Sequence, residues 1–298
     1  GLLLALCMVL TLMPVSALAD DIDTAEQASQ TGGIAAYAAG EHTDHCICGK
    51  EHTNIGDHTA SKTVTYTAWE SNDSLPKDGG NYYLTQDVEL RNGTYITEET
   101  TICLNGHNIT AMAPSADSCI VVRGAKLILT DCNENPGYIS TPSVINGVLV
   151  SGLYIMSDYN YKVSSGTAEL YNISVKDCGE YGIYLSSYDY LNSNSSPNVL
   201  RMYNAKVTGN EETGIYGYTS SSSKTQVYIY GGSLSYNGNN GIRLSKYDTL
   251  NMTGTTVSGN KNQGIVFYKT QNASTIKDCD IYGNEGGGIY MDANDTLT

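Results

Sequence analysis

"VSGNKNQGIV", residues 257–266, is the stretch whose reading decides the fold. Its anchor Val257 is followed three positions later by Asn260, seven later by Gly264 and eight later by Ile265. The same word recurs along the chain. The anchors are Val175, Val207, Leu234, Val257 and Ile281, and three residues on stand Cys178, Asn210, Asn237, Asn260 and Asn284. Gly182, Gly214, Gly241, Gly264 and Gly288 hold the seventh position, each followed by Ile: Ile183, Ile215, Ile242, Ile265 and Ile289. Internal register is strict while the spacing between copies runs from 32 down to 23 residues, so one small unit repeats with insertions in its early copies.

Side chains alternate across a strand, so Ile after the glycine points inward and the residue two further on does so again. That second column reads Leu185, Gly217, Leu244, Phe267 and Met291. A third apolar column lies upstream: Leu170, Met202, Ile229, Met252 and Ile276. Between it and the anchors stand Asn172, Asn204, Gly231, Gly254 and Asp278, types that tolerate a left-handed backbone at a tight corner. Each unit therefore reads strand, corner, strand, Asn turn, Gly, strand, with no helical period. Stacked units bury three apolar columns and pair every strand above and below.

At this point the repeat resembles the right-handed parallel β-helix of the pectate-lyase-like superfamily, whose units carry an Asn-x-x-x-Gly-Ile pattern. The resemblance implies an all-β solenoid and is clear from Gly147 onward. Weaker coils in "NYYLTQDVEL", "TICLNGHNIT" and "CIVVRGAKLILTDC" carry it back to about Tyr82. Within such a stack Asn210, Asn237, Asn260 and Asn284 are expected to form a buried structural ladder that satisfies turn backbone and their own amides. Residues 63–298 are assigned to the β-helix, which is expected to be cut off mid-coil at the C-terminus. Residues 1–19, "GLLLALCMVLTLMPVSALA", read as an N-terminally truncated signal peptide ending in Ala17-Leu18-Ala19. Residues 20–62 read as a linker with a Cys/His-rich patch.

Export sets the expected setting as secreted or cell-surface, with no membrane insertion after cleavage. The net charge of −15 and only four Arg argue against nucleic acid, which needs clustered cations. The chain has 24 Tyr against one Phe and one Trp. Two outward columns collect them: Tyr171, Tyr203 and Tyr230 in one, Tyr184, Tyr216 and Tyr290 in the other, the latter interrupted by Arg243 and Val266. Aligned phenols offer area and hydroxyls to sugar rings. The insertions "SSYDYLNSNSSPN" and "YTSSSSKTQ" follow the second column, where recognition loops are expected. The leading expectation is an adhesin-like, non-catalytic binder of an extracellular polysaccharide or cell-surface glycan.

Two other functions compete. Asp189 and Asp248 recur two coils apart, about 10 Å by strand spacing, near the upper separation of paired carboxylates in inverting glycosidases. With Arg201 and Arg243 they are the catalytic candidates for a polysaccharide lyase or glycoside hydrolase, and the lyase resemblance would bring Ca²⁺ with it. The polygalacturonase-like pattern of Asn-Thr-Asp, paired Asp, Gly-His-Gly and Arg-Ile-Lys is absent. A structural stalk for a missing C-terminal module is the third reading.

"EHTDHCICGKEHTNIGDH", residues 41–58, packs His42, His45, Cys46, Cys48, His52 and His58 together. Mixed Cys/His sets at short spacing suit Zn²⁺. A disulfide to another Cys, or an exported linker, fits the same residues. With "TAWESNDSLPKDGGNYYLTQDVEL" behind it, the segment resembles the N-terminal part of large bacterial surface proteins built on β-helices.

Overall fold

A computed structural model of the chain describes residues 45–47, 63–112, 118–141, 150–158, 164–188, 196–219, 224–245, 248–268, 273–292 and 297. The leader-like residues 1–19 and most of the 20–62 segment lie outside them. Every described residue falls within one compact unit, Ala36–Thr298.

Apart from one short hairpin, the described strands lie in three all-parallel sheets. The first sheet holds nine strands: Thr67–Trp69, Gly80–Leu84, Thr100–Cys103, Lys126–Thr130, Thr167–Tyr171, Asn198–Tyr203, Thr225–Tyr230, Thr249–Thr253 and Thr275–Lys277. The second runs from Val88–Leu90 to Asp280–Tyr282 and the third from Thr94–Ile96 to Gly287–Met291, with eight strands each. From Gly80 on, the chain visits the first, second and third sheets in turn and then returns to the first, one strand further along. It is a parallel β-helix, right-handed as the chirality of parallel crossovers requires.

The five copies stack in the register that their spelling implies. Val175, Val207, Leu234 and Val257 pair in the second sheet, and Ile183, Ile215, Ile242 and Ile265 in the third. These side chains, and Leu170, Met202, Ile229 and Met252 of the first sheet, are fully buried. Burial of a Leu, Ile, Val or Met side chain contributes about 1.5–3 kcal/mol, and each coil adds at least three. The corner residues Asn172, Asn204, Gly231, Gly254 and Asp278 all have φ between 51° and 69°. Non-glycine side chains at such corners cost about 1–2 kcal/mol each, offset by the columns that the bend brings into line.

The Asn turns form one continuous ladder. The Asn237 side-chain carbonyl accepts from the Asn210 backbone N–H (3.3 Å) and amide (2.8 Å). Its own amide donates to Asn260 Oδ1 (2.9 Å) and to the Val207 carbonyl. Asn260 repeats this toward Asn284, and Asn210 Oδ1 takes the Cys178 N–H at 3.1 Å. Cys178 itself makes no rung and ends the ladder. The glycines beside it are required by space. A Cβ on Gly214 would stand 2.7 Å from both Asn237 Nδ2 and the Gly241 carbonyl, and Gly182, Gly241 and Gly264 meet the same wall.

Candidate functional site

The outer face of the first sheet is partly closed. His45–Cys46 pairs antiparallel with Thr63–Val64, and next to this pair Ile47 packs against the cluster of Ile128, Tyr171 and Tyr203. Tyr171 and Tyr203 stack at 4.7 Å with planes 4° apart and are only 2% and 5% exposed. As substrate-binding residues these two are corrected: they point away from the coil interior but form a second apolar layer under the N-terminal strand. Tyr230 continues the stack at 5.2 Å and is half-buried, and burial raises its phenol pKa. Glu169 sits alongside, gathering Lys126 at 3.0 Å, the Tyr171 hydroxyl at 3.0 Å and Arg201 at 3.7 Å. Arg201 also lies over the Tyr228 ring, so it is a tie across the sheet.

His45 is buried at the same place. Its ring stacks on Tyr66 at 4.4 Å, and one donor atom each of His45, Cys103 and Cys132 lie within 4.8 Å of one another. Burial, and then the Cys132 sulfur beside it, pushes the Cys103 thiol well above its ordinary pKa. Of the other metal candidates, His42, Cys48, His52 and His58 lie outside the described residues, as does the Cys46 side chain.

The four catalytic candidates are not brought to one groove. Arg201 is on the first sheet, Arg243 on the third, and Asp189 lies outside the described residues. Asp248 is corrected too: its carboxylate is fully buried. It accepts from the backbone N–H groups of Thr225 (3.1 Å) and Ser245 (2.9 Å), in the space that the missing side chain of Gly217 leaves. Asn198 plays the matching part in another coil, taking the N–H of Gly166, while Ser274, two positions further along in register, takes the N–H of Leu250. Asn198 and Asp248 thus satisfy backbone N–H groups at the corner between the third and first sheets.

Burial pushes the Asp248 pKa from 3.8 to about 7, against the opposing pull of those N–H groups. A raised folded pKa means the folded state holds the proton longer than the unfolded chain does. Its stabilising contribution is therefore whole below about pH 4 and is lost as pH climbs to about 7. The expected slope is at most about 1.4 kcal/mol per pH unit. Asp248→Asn should flatten that stretch of the urea-midpoint profile; a wild-type profile already flat there would contradict the assignment.

Among the described residues, the outer face of the third sheet carries a long column of tyrosines. Register aligns Tyr95, Val121, Tyr154, Tyr184, Tyr216, Arg243, Val266 and Tyr290 in one column. Tyr154 stacks on Tyr184 at 4.8 Å (21°) and Tyr184 on Tyr216 at 5.7 Å (12°), with Tyr181 leaning on both Tyr184 and Tyr216. Parallel coils stand about 4.8 Å apart, close enough for identical rings to close on one another. Ring faces are thus spent in part on neighbouring tyrosines, and the Tyr154 hydroxyl is bonded to Ser186 Oγ at 2.6 Å. Burial, then Glu180, raises the Tyr181 phenol to about 12, so it stays protonated and can donate.

Arg243 ends the tyrosine stack. Its guanidinium lies 5.6 Å from the ring centres of both Tyr216 and Tyr268, and its Nε is buried without a hydrogen-bond partner among the described residues. Around it opens a cleft of about 250 Å³, lined by Asn239, Asn240, Asn262, Gln263, Val266, Tyr268 and Tyr290. The amides are fixed coil to coil: Asn262 donates to Asn239 at 3.2 Å, and Asn240 accepts the Gln263 N–H at 3.2 Å. Tyr154 and Tyr181 are absent from the candidates read off the sequence; Tyr154 belongs to the coil before the first clear copy, and Tyr181 to the turn of that copy. Gly152 marks the coil of Tyr154, because a Cβ there would meet the next coil's Gly182 carbonyl and Val175.

Residues 161–298 match the family model described as "Right handed beta helix region". No curated protein and no solved structure matches the chain.

Proposed function

We propose that this protein binds carbohydrate, without cleaving it, on the outer face of its third sheet, in a secreted or cell-surface setting. The observation that carries the reading is the Arg243 cleft. A guanidinium held between two phenol rings, with four amide side chains around it, offers donors and acceptors at fixed positions. Vicinal hydroxyls or a sugar carboxylate pair with such a set, while Tyr268 and Tyr290, 42% and 45% exposed, supply apolar area. From Tyr154 to Tyr290 the column spans five strand spacings, about 24 Å, which is room for an oligosaccharide. Among the described residues, the cleft lining carries no carboxylate, so none of them supplies the groups that acid–base cleavage requires.

The test is calorimetric titration of the full-length chain with neutral and uronic-acid oligosaccharides. Arg243→Gln should weaken binding about tenfold or more, the equivalent of ~1.4 kcal/mol, with the melting temperature nearly unchanged. Affinity equal to wild type would remove the cleft from the account. A loss confined to the acidic ligands identifies a carboxylate as the partner of Arg243, and a loss across both sets identifies hydroxyls.

A further inference from the structure

A different place in the molecule carries a second site. His45, Cys103 and Cys132 come from three separate segments: the short N-terminal strand, the end of the strand Thr100–Cys103, and the turn just after Lys126–Thr130. All three are buried, at 6%, 0% and 5% exposure. Cys103 faces outward on the first sheet, in register with Tyr83 and Thr130. On an open sheet face that position is wet, yet here the hairpin seals it, with Tyr66, Val64 and Tyr83 packed around the sulfurs.

The sulfur separation distinguishes what the pair is built for. Cys103 Sγ and Cys132 Sγ are 3.5 Å apart. A disulfide needs about 2.05 Å. Two thiolates on one tetrahedral zinc, each about 2.3 Å from the ion, stand about 3.8 Å apart. The measured spacing sits near the second value. An imidazole nitrogen with two sulfurs is a borderline-soft donor set that suits Zn²⁺ and excludes the hard cations Ca²⁺ and Mg²⁺.

The surroundings hold these donors in place. Tyr66 stacks on the His45 ring at 4.4 Å with the planes 29° apart. Asp131, between Thr130 and Cys132, turns its carboxylate onto the backbone N–H groups of Gly106, Asn133 and Gly137, which fixes the turn carrying Cys132. The Thr130 hydroxyl, beside Cys103 in the strand register, is fully buried and has no hydrogen-bond partner among the described residues. A buried polar group without a partner costs about 1–3 kcal/mol and is a mark of a site whose occupant supplies contacts.

We propose that His45, Cys103 and Cys132 ligate a structural zinc ion that fastens the N-terminal strand to the outer face of the first sheet. The ion joins residues far apart in the chain, closes the layer formed by Ile47, Tyr171 and Tyr203, and leaves one tetrahedral position for water or a further donor. The site is separate from the Arg243 cleft, which lies on another sheet, so either can fail without the other.

The full-length chain is reduced, stripped of metal and offered ZnCl₂ alone, and bound zinc is counted by plasma mass spectrometry. One zinc per chain is expected. His45→Gln, Cys103→Ser and Cys132→Ser should each weaken uptake at least tenfold, while Cys279→Ser and His107→Gln leave it intact. Because a variant could fail to fold, the wild-type chain is also loaded with Co²⁺. Tetrahedral visible bands with a thiolate-to-cobalt charge-transfer band are expected. No zinc after reduction, cobalt spectra without a thiolate band, or full uptake by all three ligand variants would overturn the proposal. A Cys103–Cys132 disulfide that re-forms in the presence of zinc would do the same.

Discussion

Asn237→Ala lowers the unfolding free energy by about 3 kcal/mol, read as a drop in the urea midpoint at unchanged slope. The side chain makes four hydrogen bonds in a fully buried place. Its loss orphans two donors of Asn210, the backbone N–H and the amide, at about 1–3 kcal/mol for each unsatisfied buried group. Relaxation of the neighbouring coils lowers that sum and a new cavity raises it. Solenoid coils touch only their neighbours, so exchange protection should fall first around Cys178–Gly214 and Asn237–Gly264. An unchanged midpoint would mean that the amide column carries no net stability.

Gly214→Ala is the second large effect, about 1–3 kcal/mol. The added methyl carbon meets a buried amide nitrogen and a backbone carbonyl, each at 2.7 Å. That carbonyl already accepts the Ile215 N–H at 3.0 Å, so the strand cannot move without loss. Gly254→Ala gives the contrast. Its φ is +62° and nothing lies within 4 Å of the new atom, so only the left-handed backbone is strained, at about 1–2 kcal/mol. Gly214 and Asn237 touch, and the double variant Gly214→Ala/Asn237→Ala should therefore cost less than the sum of the singles. Strict additivity would show that the glycine column is not held by the amide ladder.

The repeat was legible because each unit places Val, Asn, Gly and Ile in identical surroundings, and stacking in register demands identical answers. Local spelling also revealed the left-handed corners at Asn172 and Asp278. What it could not carry was contact between distant segments. The outward position of Tyr171 and Tyr203 follows from alternation, but their burial depends on Ile47, more than a hundred residues earlier. Asp248 read as one of a pair of outward carboxylates because Asp189 shares its spacing; its burial depends on Gly217 making room one coil away. Cys103 and Cys132 stand 29 residues apart, and no local spelling pairs them. His45 stood out only as one of a local Cys/His group. Arg243 was visible as a break in a tyrosine column, and the break marks where the stack ends and the cleft begins.

The central claim is that the third sheet's outer face holds a glycan and leaves it whole. The most direct measurement incubates the full-length protein, with Ca²⁺ present, with a panel of neutral and acidic polysaccharides. Retained protein and newly formed reducing ends or unsaturated uronates are scored in the same samples. The account predicts retention on at least one polymer, lost in Arg243→Gln, with no new ends from any. New ends from any polymer, or retention that survives Arg243→Gln unchanged, would contradict it.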